Sequence, residues 1–391
     1  MNKILLTSLL IILTSFACKK LAYDPDPNEV ESNGVYITDT LYAITDSVVN
    51  RSEIFTGFSE KFALGQRDGL KAGFLVYFAF LDTVENVDSV SVQFTTLNSY
   101  GTGTVDQVSA NIYSVDSLWG GAANQYNRYR NPPVGKMEFV TRASFKTADS
   151  SNNVFRIPLD YNNIWIGYND SLADTVRFNF FFQPETGNEN TIVELGSYLS
   201  DQNPILIYRK VSEDTTVIDT IDAVLGATIF NYDPVNGTAF NYPDETVISS
   251  SGIIKHSLFK FDYSHLPENA IYYRARLQLS EDDMNPYENS DNKKTFELGM
   301  VENYADTVYN PSSTLIMTSD EGLTEISGAS SNTLAEDFIQ PLINKDFGNQ
   351  WLEVGFYIED EDFSIKRFWG AKSPDPEKRP KLIIDYLNAN K

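Results

Sequence analysis

The chain has 391 residues, 42% of them hydrophobic, and a formal net charge of -24 at pH 7. This charge makes polyanionic nucleic acid a poor partner, because binding it requires clustered Lys and Arg. The length suits two domains, and the single cysteine excludes an intramolecular disulfide and zinc sites built on cysteines. Because the only histidines are His256 and His265, neither a Ser-His-Asp triad nor a histidine-rich zinc site is expected.

Residues 1–17 have the layout of a signal peptide. Lys3 provides the positive start, residues 4–13 form an apolar stretch too short to span a bilayer, and Ala17 precedes Cys18. This arrangement resembles the lipobox of bacterial lipoproteins, which implies cleavage before Cys18 and acylation of its thiol. The alternative is an ordinary secretory signal followed by an incidental cysteine. The resemblance implies a membrane anchor at Cys18 and location at the outer membrane, with the periplasmic or surface side left open.

Residues 18–33 have no apolar period and carry prolines and acidic residues, which is typical of a flexible tether. We therefore expect the folded part of the protein to begin near residue 34.

The region 34–211 has the composition and patterning of a β protein. Residues 87–97 alternate apolar and polar side chains, and residues 74–81 form an apolar run too short for most helices. We predict a short helix within 160–172 and strands at 35–44, 54–64, 73–81, 87–97, 108–118, 154–159, 175–183 and 204–211.

The region 212–391 repeats these elements in the same order. Both halves end in a strand that follows a proline, Pro204 in the first and Pro380 in the second. The segments that correspond are 39–44 with 219–224, 54–55 with 229–230, 74–81 with 257–263, 87–94 with 270–279, and 175–181 with 351–357. The sequence therefore predicts an all-β fold of two tandem antiparallel jelly-roll-like β-sandwich domains, 34–211 and 212–391.

The second half contains three segments that recur in one known family: Ser257-Leu-Phe-Lys-Phe-Asp-Tyr-Ser-His-Leu-Pro267, Ala275-Arg-Leu-Gln-Leu279 and Arg379-Pro-Lys-Leu-Ile-Ile-Asp-Tyr386. Together they resemble the DNRLRE-type domain, an extracellular β-sandwich often grouped with carbohydrate-binding modules. The first half matches this pattern more weakly, through Ile112-Tyr-Ser-Val-Asp-Ser-Leu-Trp119. The resemblance implies a sandwich fold and a role in binding glycans.

One aromatic and locally basic segment interrupts the acidic first half. It carries Trp119, Tyr126, Arg128, Tyr129 and Arg130, residue types that stack on sugar rings or anchor protein contacts. These five residues are the predicted ligand-binding site. The alternative is an insertion whose aromatic side chains pack onto their own domain.

Nothing in the sequence singles out a catalytic or metal-binding residue. The acidic clusters 281–283 and 359–362 could supply oxygen ligands to calcium, but each also fits a solvated turn, and neither has the glycine spacing of a calcium loop. His256 and His265 are interpreted as surface or turn residues rather than bases. We predict no catalytic residue, no metal site and no cofactor.

The predicted function is therefore non-enzymatic: an envelope lipoprotein that binds glycan or polysaccharide. One alternative is an accessory lipoprotein that binds a protein partner. A less favoured alternative is a glycoside hydrolase or lyase that uses carboxylates the sequence does not single out.

Overall fold

A computed structural model of the chain shows an all-β protein with antiparallel sheets, as predicted. Among the described residues, no helix is long and apolar enough to cross a membrane. The structure describes residues 35–50, 59–81, 87–101, 107–115, 137–146, 154–164, 167–169, 172–186, 190–211, 215–233, 235, 237–250, 253, 255–282, 296–301, 313–315, 317–320, 323–326, 334–335, 339–343, 351–356 and 365–388.

The described chain begins with two strands, β1 (Val35–Tyr42) and β2 (Thr45–Asn50). The next strands are β3 (Lys61–Arg67), β4 (Leu70–Leu81), β5 (Val87–Gly101), β6 (Gln107–Val115), β7 (Met137–Lys146), β8 (Val154–Leu159), β9 (Gly167–Asn169), β10 (Leu172–Pro184), β11 (Thr191–Gly196), β12 (Ile205–Val211) and β13 (Thr216–Tyr232).

The remaining strands are β14 (Thr246–Ser250), β15 (Lys255–Lys260), β16 (Ile271–Ser280), β17 (Phe296–Val301), β18 (Ser313–Leu315), β19 (Met317–Asp320), β20 (Leu323–Ile326), β21 (Trp351–Phe356), β22 (Ile365–Trp369) and β23 (Lys381–Asn388). A short helix, α1 (Gln340–Ile343), precedes β21.

Strand pairing divides the fold into two units. Unit 1 comprises β3 to β13, in the order β13-β12-β5-β11-β3-β4-β10-β6-β7, with β8 beside β5 and β9 beside β10. Its longest strand, β13, pairs with β12 through its first half and with β4 through its second half. Unit 1 is therefore formed by one continuous stretch of the chain.

Unit 2 is formed from both ends of the chain. Its sheets have the orders β1-β23-β16-β20-β19 and β18-β17-β21-β15-β14-β22, and β2 pairs with β15. The pattern repeats that of unit 1, because β1 lies beside the closing strand β23 as β13 lies beside the closing strand β12. In the same way, β16 corresponds to β5, β15 to β4 and β21 to β10.

The predicted boundary between residues 211 and 212 does not match this pairing. Residues 35–50 were placed in the first domain but pair with strands of unit 2, and residues 216–232 were placed in the second but pair with strands of unit 1. The physical reason is core burial. Leu41 and Ala43 complete the core of unit 2, whereas the corresponding Ile221 and Ala223 complete that of unit 1.

Equivalent hydrogen bonds hold β1 and β13 in place. The N–H of Ala43 donates to the carbonyl of Pro380 at 3.0 Å, and the N–H of Ala223 donates to that of Pro204 at 2.9 Å. A tyrosine hydroxyl of each closing strand donates to an aspartate: Tyr386 to Asp39 at 3.1 Å and Tyr208 to Asp219 at 3.0 Å.

An aspartate also fixes β2 in unit 2. The carboxylate of Asp46 accepts a hydrogen bond from the backbone N–H of Ala371. Gly370 permits this approach, because a Cβ at that position would lie 2.4 Å from Oδ2 of Asp46. Burial raises the pKa of the Asp46 carboxyl, although the Ala371 N–H and Lys372 act in the opposite direction.

A hydrophobic cluster joins the two units. From unit 1 it takes Ala63 of β3 and Ile192 of β11, and from unit 2 it takes Ile248 of β14 and Ile365 of β22. Strand β3 lies between β4 and β11, and β14 lies between β15 and β22. The contact therefore uses corresponding strands of the two units.

Most predicted strands are present, and the differences have local causes. In the first half, β2, β7, β9 and β11 were not predicted. The strand predicted at 54–64 is present from residue 61 as β3, and residues 54–58 lie outside the described part of the chain. Within 160–172, where a helix was predicted, the described residues form a 3-10 turn, Tyr161–Asn163, which the Asp160 side chain caps, and the strand β9. The segments 175–181 and 351–357 lie in corresponding strands, but with a register displaced from the alignment: Val76 faces Phe180 and Phe259 faces Leu352. The jelly-roll topology stays a prediction.

We expect Leu41→Ala to lower the stability of unit 2, although residue 41 precedes all of unit 1 in the sequence. The side chain is 4% exposed, and truncating a buried leucine costs about 2–5 kcal/mol. Amide hydrogen exchange should speed up in β16 and β23 and stay unchanged in β10. The matched variant Ile221→Ala should have the reverse pattern, with faster exchange in β5 and β12. Faster exchange confined to unit 1 in Leu41→Ala would contradict the observed pairing.

Candidate functional site

All of the predicted site residues lie outside the part of the chain that the structure describes. Cys18 precedes β1, and the five ligand-binding candidates Trp119, Tyr126, Arg128, Tyr129 and Arg130 fall within 116–136. The structure does define where the segment 116–136 is attached. It follows Val115 at the end of β6 and precedes Met137 at the start of β7, and these two residues face each other across the ladder.

An exposed aromatic surface lies beside this attachment point. Tyr113 of β6 faces Phe139 of β7, and their rings meet edge to face with centroids 6.0 Å apart. Phe139 is 50% exposed and the neighbouring Met137 is 41% exposed. Residues that face each other in an antiparallel ladder project to the same side of the sheet, so these side chains form one surface.

Polar side chains continue the same surface along β6, β7 and β10. Asn111 faces both Arg142 of β7 and Gln183 of β10. The guanidinium of Arg142 forms an ion pair with Glu185, and its side chain is 63% exposed. We call this surface the Tyr113 face; its members are Asn111, Tyr113, Met137, Phe139, Arg142, Gln183 and Glu185.

The opposite side of these strands explains why the Tyr113 face is firmly held. Ile112, Ala143 and Phe145 project into the core of unit 1. On the outer side, Tyr113 packs against a second buried cluster that includes Phe181 of β10. The aromatic pair therefore rests on a packed sheet rather than on a loop.

The Tyr113 face has groups suited to the recognition of a ligand. The exposed ring of Phe139 offers an apolar surface to the C–H side of a sugar ring or to an apolar side chain. Amide and guanidinium groups donate hydrogen bonds to hydroxyl or carbonyl oxygens, and the amide and carboxylate oxygens accept them.

Strand alternation in the sequence does not reveal this surface. With a period of two, Phe139, Ala143 and Phe145 would all project to the same side of a strand. The bulge opposite Ile112 and Tyr113 shifts the register, so that Phe139 projects to the outer side while Ala143 and Phe145 project into the core.

His256 is not a surface or turn residue, contrary to the prediction. It is 3% exposed in β15, and its Nδ1 lies 2.6 Å from Oε1 of Glu353, which is fully buried in β21. Gly355 allows the ring to lie against the backbone, because a Cβ there would come within 2.3 Å of Nε2. Since both side chains are closed off from solvent, we interpret the pair as structural. His265 is exposed in a turn, as predicted.

Two of the carboxylates considered for calcium, Glu281 and Asp282, have cationic partners, whereas Asp283 lies outside the described residues. Glu281 lies 2.7 Å from Nζ of Lys366 and accepts a hydrogen bond from Thr324, while Asp282 lies 3.2 Å from Nε of Arg367. Cluster 359–362 lies outside the described residues. Within the described ranges, no group of three or more His, Cys, Asp or Glu side chains could hold a metal ion.

No family model matches the chain, and a comparison with curated proteins finds no similar sequence.

Proposed function

We propose that this protein is a non-enzymatic lipoprotein of the cell envelope that binds a polysaccharide through unit 1. The proposal includes a lipid anchor at Cys18 and location at the outer membrane. The observation that carries it is the Tyr113 face, where the exposed ring of Phe139 and the half-buried ring of Tyr113 lie beside amide side chains and an ion pair on a packed sheet.

Three features support this proposal together. The exposed ring of Phe139, beside hydrogen-bonding side chains, matches the amphipathic surface of a sugar, which has an apolar face and a polar rim. The second half of the chain resembles a family grouped with carbohydrate-binding modules. The predicted aromatic segment with Trp119 and Tyr126 is attached at the edge of the same surface.

A specific observation favours a second candidate function, the binding of a protein partner. The β12–β13 hairpin exposes apolar side chains on both of its sides: Val217 is 50% and Ile218 is 66% exposed. Adjacent strand residues project to opposite sides, so this end of the hairpin stands clear of the core. Exposed apolar surface of this kind occurs at protein interfaces.

Phe139→Ala should weaken binding to a polysaccharide at least tenfold, because it removes the exposed half of the aromatic pair. An array of plant, host and microbial polysaccharides would identify the ligand, and calorimetry would give the affinities. Val154→Ala is the matched control, since Val154 is 52% exposed in the same unit but in β8. Unchanged affinity in Phe139→Ala would exclude the Tyr113 face as the site. An array without any binding would favour a protein partner instead.

Alanine substitutions at Trp119, Tyr126 and Tyr129 test the neighbouring segment separately. If that segment contributes to the site, the triple variant should also lose affinity on the same array and by calorimetry. Retained affinity would limit the site to the Tyr113 face.

Cys18→Ser should abolish the lipid anchor. In cells fed a palmitate analogue, the wild-type protein should become labelled and sediment with membranes, whereas the variant should do neither. A labelled Cys18→Ser variant would contradict acylation at this residue, because the chain has a single cysteine.

A further inference from the structure

The N-terminal segment enters the fold at one end of unit 2. Val35 opens β1 and faces Asn388, the last residue of β23. Leu41 and Ala43 follow in the core of unit 2. The chain that comes from Cys18 is therefore joined first to the unit that the C-terminal strand completes.

The chain then runs from that end of unit 2 toward unit 1. Val48 of β2 packs against the cluster that joins the units, and β2 ends at Asn50. The next described residue is Ser59, whose carbonyl accepts a hydrogen bond from Ser197 of unit 1 at 2.5 Å. The eight residues of β1 alone extend about 26 Å at about 3.3 Å per residue. Val35 lies at the end of β1 opposite the end that leads into β2 and the joining cluster.

The corresponding path in unit 1 also begins away from the joining cluster and ends at it. β13 begins at Thr216, which faces Val211, and ends near Phe230 and Tyr232, which contact the joining cluster. Because the two units correspond strand by strand, the β12–β13 hairpin occupies in unit 1 the place that Val35 and Asn388 occupy in unit 2. The point of entry and this hairpin each lie at the end of their own unit that is away from the joining cluster.

We infer that the lipid surface to which Cys18 is attached lies next to unit 2, and that unit 1 with its Tyr113 face is held on the far side. This inference rests on the proposed anchor. The only link to the membrane that it requires is the tether predicted from the sequence at residues 18–33, and a flexible chain of that length would span about 20–25 Å on average. Unit 2, most of whose strands follow unit 1 in the sequence, is thus the unit nearer to the membrane.

Energy transfer to a membrane tests this order. The chain from residue 18 is coupled through the Cys18 thiol to maleimide lipid in phosphatidylcholine vesicles that contain a rhodamine lipid as acceptor. A donor dye is attached at azidophenylalanine placed instead of Ile271 or Ile218. These isoleucines are 60% and 66% exposed, and they lie near the outer ends of units 2 and 1 respectively. Transfer should be several-fold more efficient from position 271 than from position 218.

Equal transfer from both positions, or stronger transfer from position 218, would overturn the inference. Unchanged circular dichroism and thermal unfolding would show that both labelled proteins are folded. Because the attachment to the vesicle is made chemically, the result does not depend on acylation in the cell. Failure of palmitate labelling would therefore count against the proposed anchor, and failure of the transfer experiment would count against the orientation.

Discussion

The pairing of β1 with β23 is the constraint on which the rest of the structure depends. It joins the two ends of the chain, and Thr38 donates a hydrogen bond to Asp385 across this ladder at 2.6 Å. Without it, unit 2 would lack Leu41 and Ala43 in its core. Unit 1 needs no such distant partner, because its strands come from one continuous stretch.

This arrangement has a consequence for folding. Closing a long loop costs conformational entropy, and contacts between distant residues form slowly. Unit 1 can fold first, and its folding shortens the effective distance between β2 and β14 because both strands then start from its surface. We therefore expect unit 2 to close last, after the C-terminal strand has been made.

The sequence predicted the class of fold because its strands alternate clearly and its two halves repeat. It could not predict which half each copy of the first strand would join. Leu41 and Ala43 have the same pattern as Ile221 and Ala223, so the pattern alone does not assign either copy to a core. The length of the chain segments between the strands determines which copy joins which unit. β13 follows β12 after the short segment 212–215 and forms a hairpin with it, which leaves the place beside β23 to β1.

The candidate site was predicted only in part. The sequence drew attention to residues 116–136, and the structure adds the sheet surface at the attachment of that segment. The aromatic pair of Tyr113 and Phe139 depends on a ladder interrupted by a bulge, and periodicity alone does not show which residues face each other. His256 was missed for a related reason, because its burial depends on Glu353 and Gly355 in a strand far away in sequence.

Disulfide trapping tests the pairing of the two chain ends most directly. Tyr42 faces Lys381, and the Lys381 ammonium lies 5.8 Å from the centre of the Tyr42 ring, so the two side chains share one side of the sheet. In a Cys18→Ser background, Tyr42→Cys with Lys381→Cys should form a disulfide within the monomer upon mild oxidation. Tyr42→Cys with Ile205→Cys, the corresponding position of β12, should not. A disulfide in the second pair and none in the first would contradict the account.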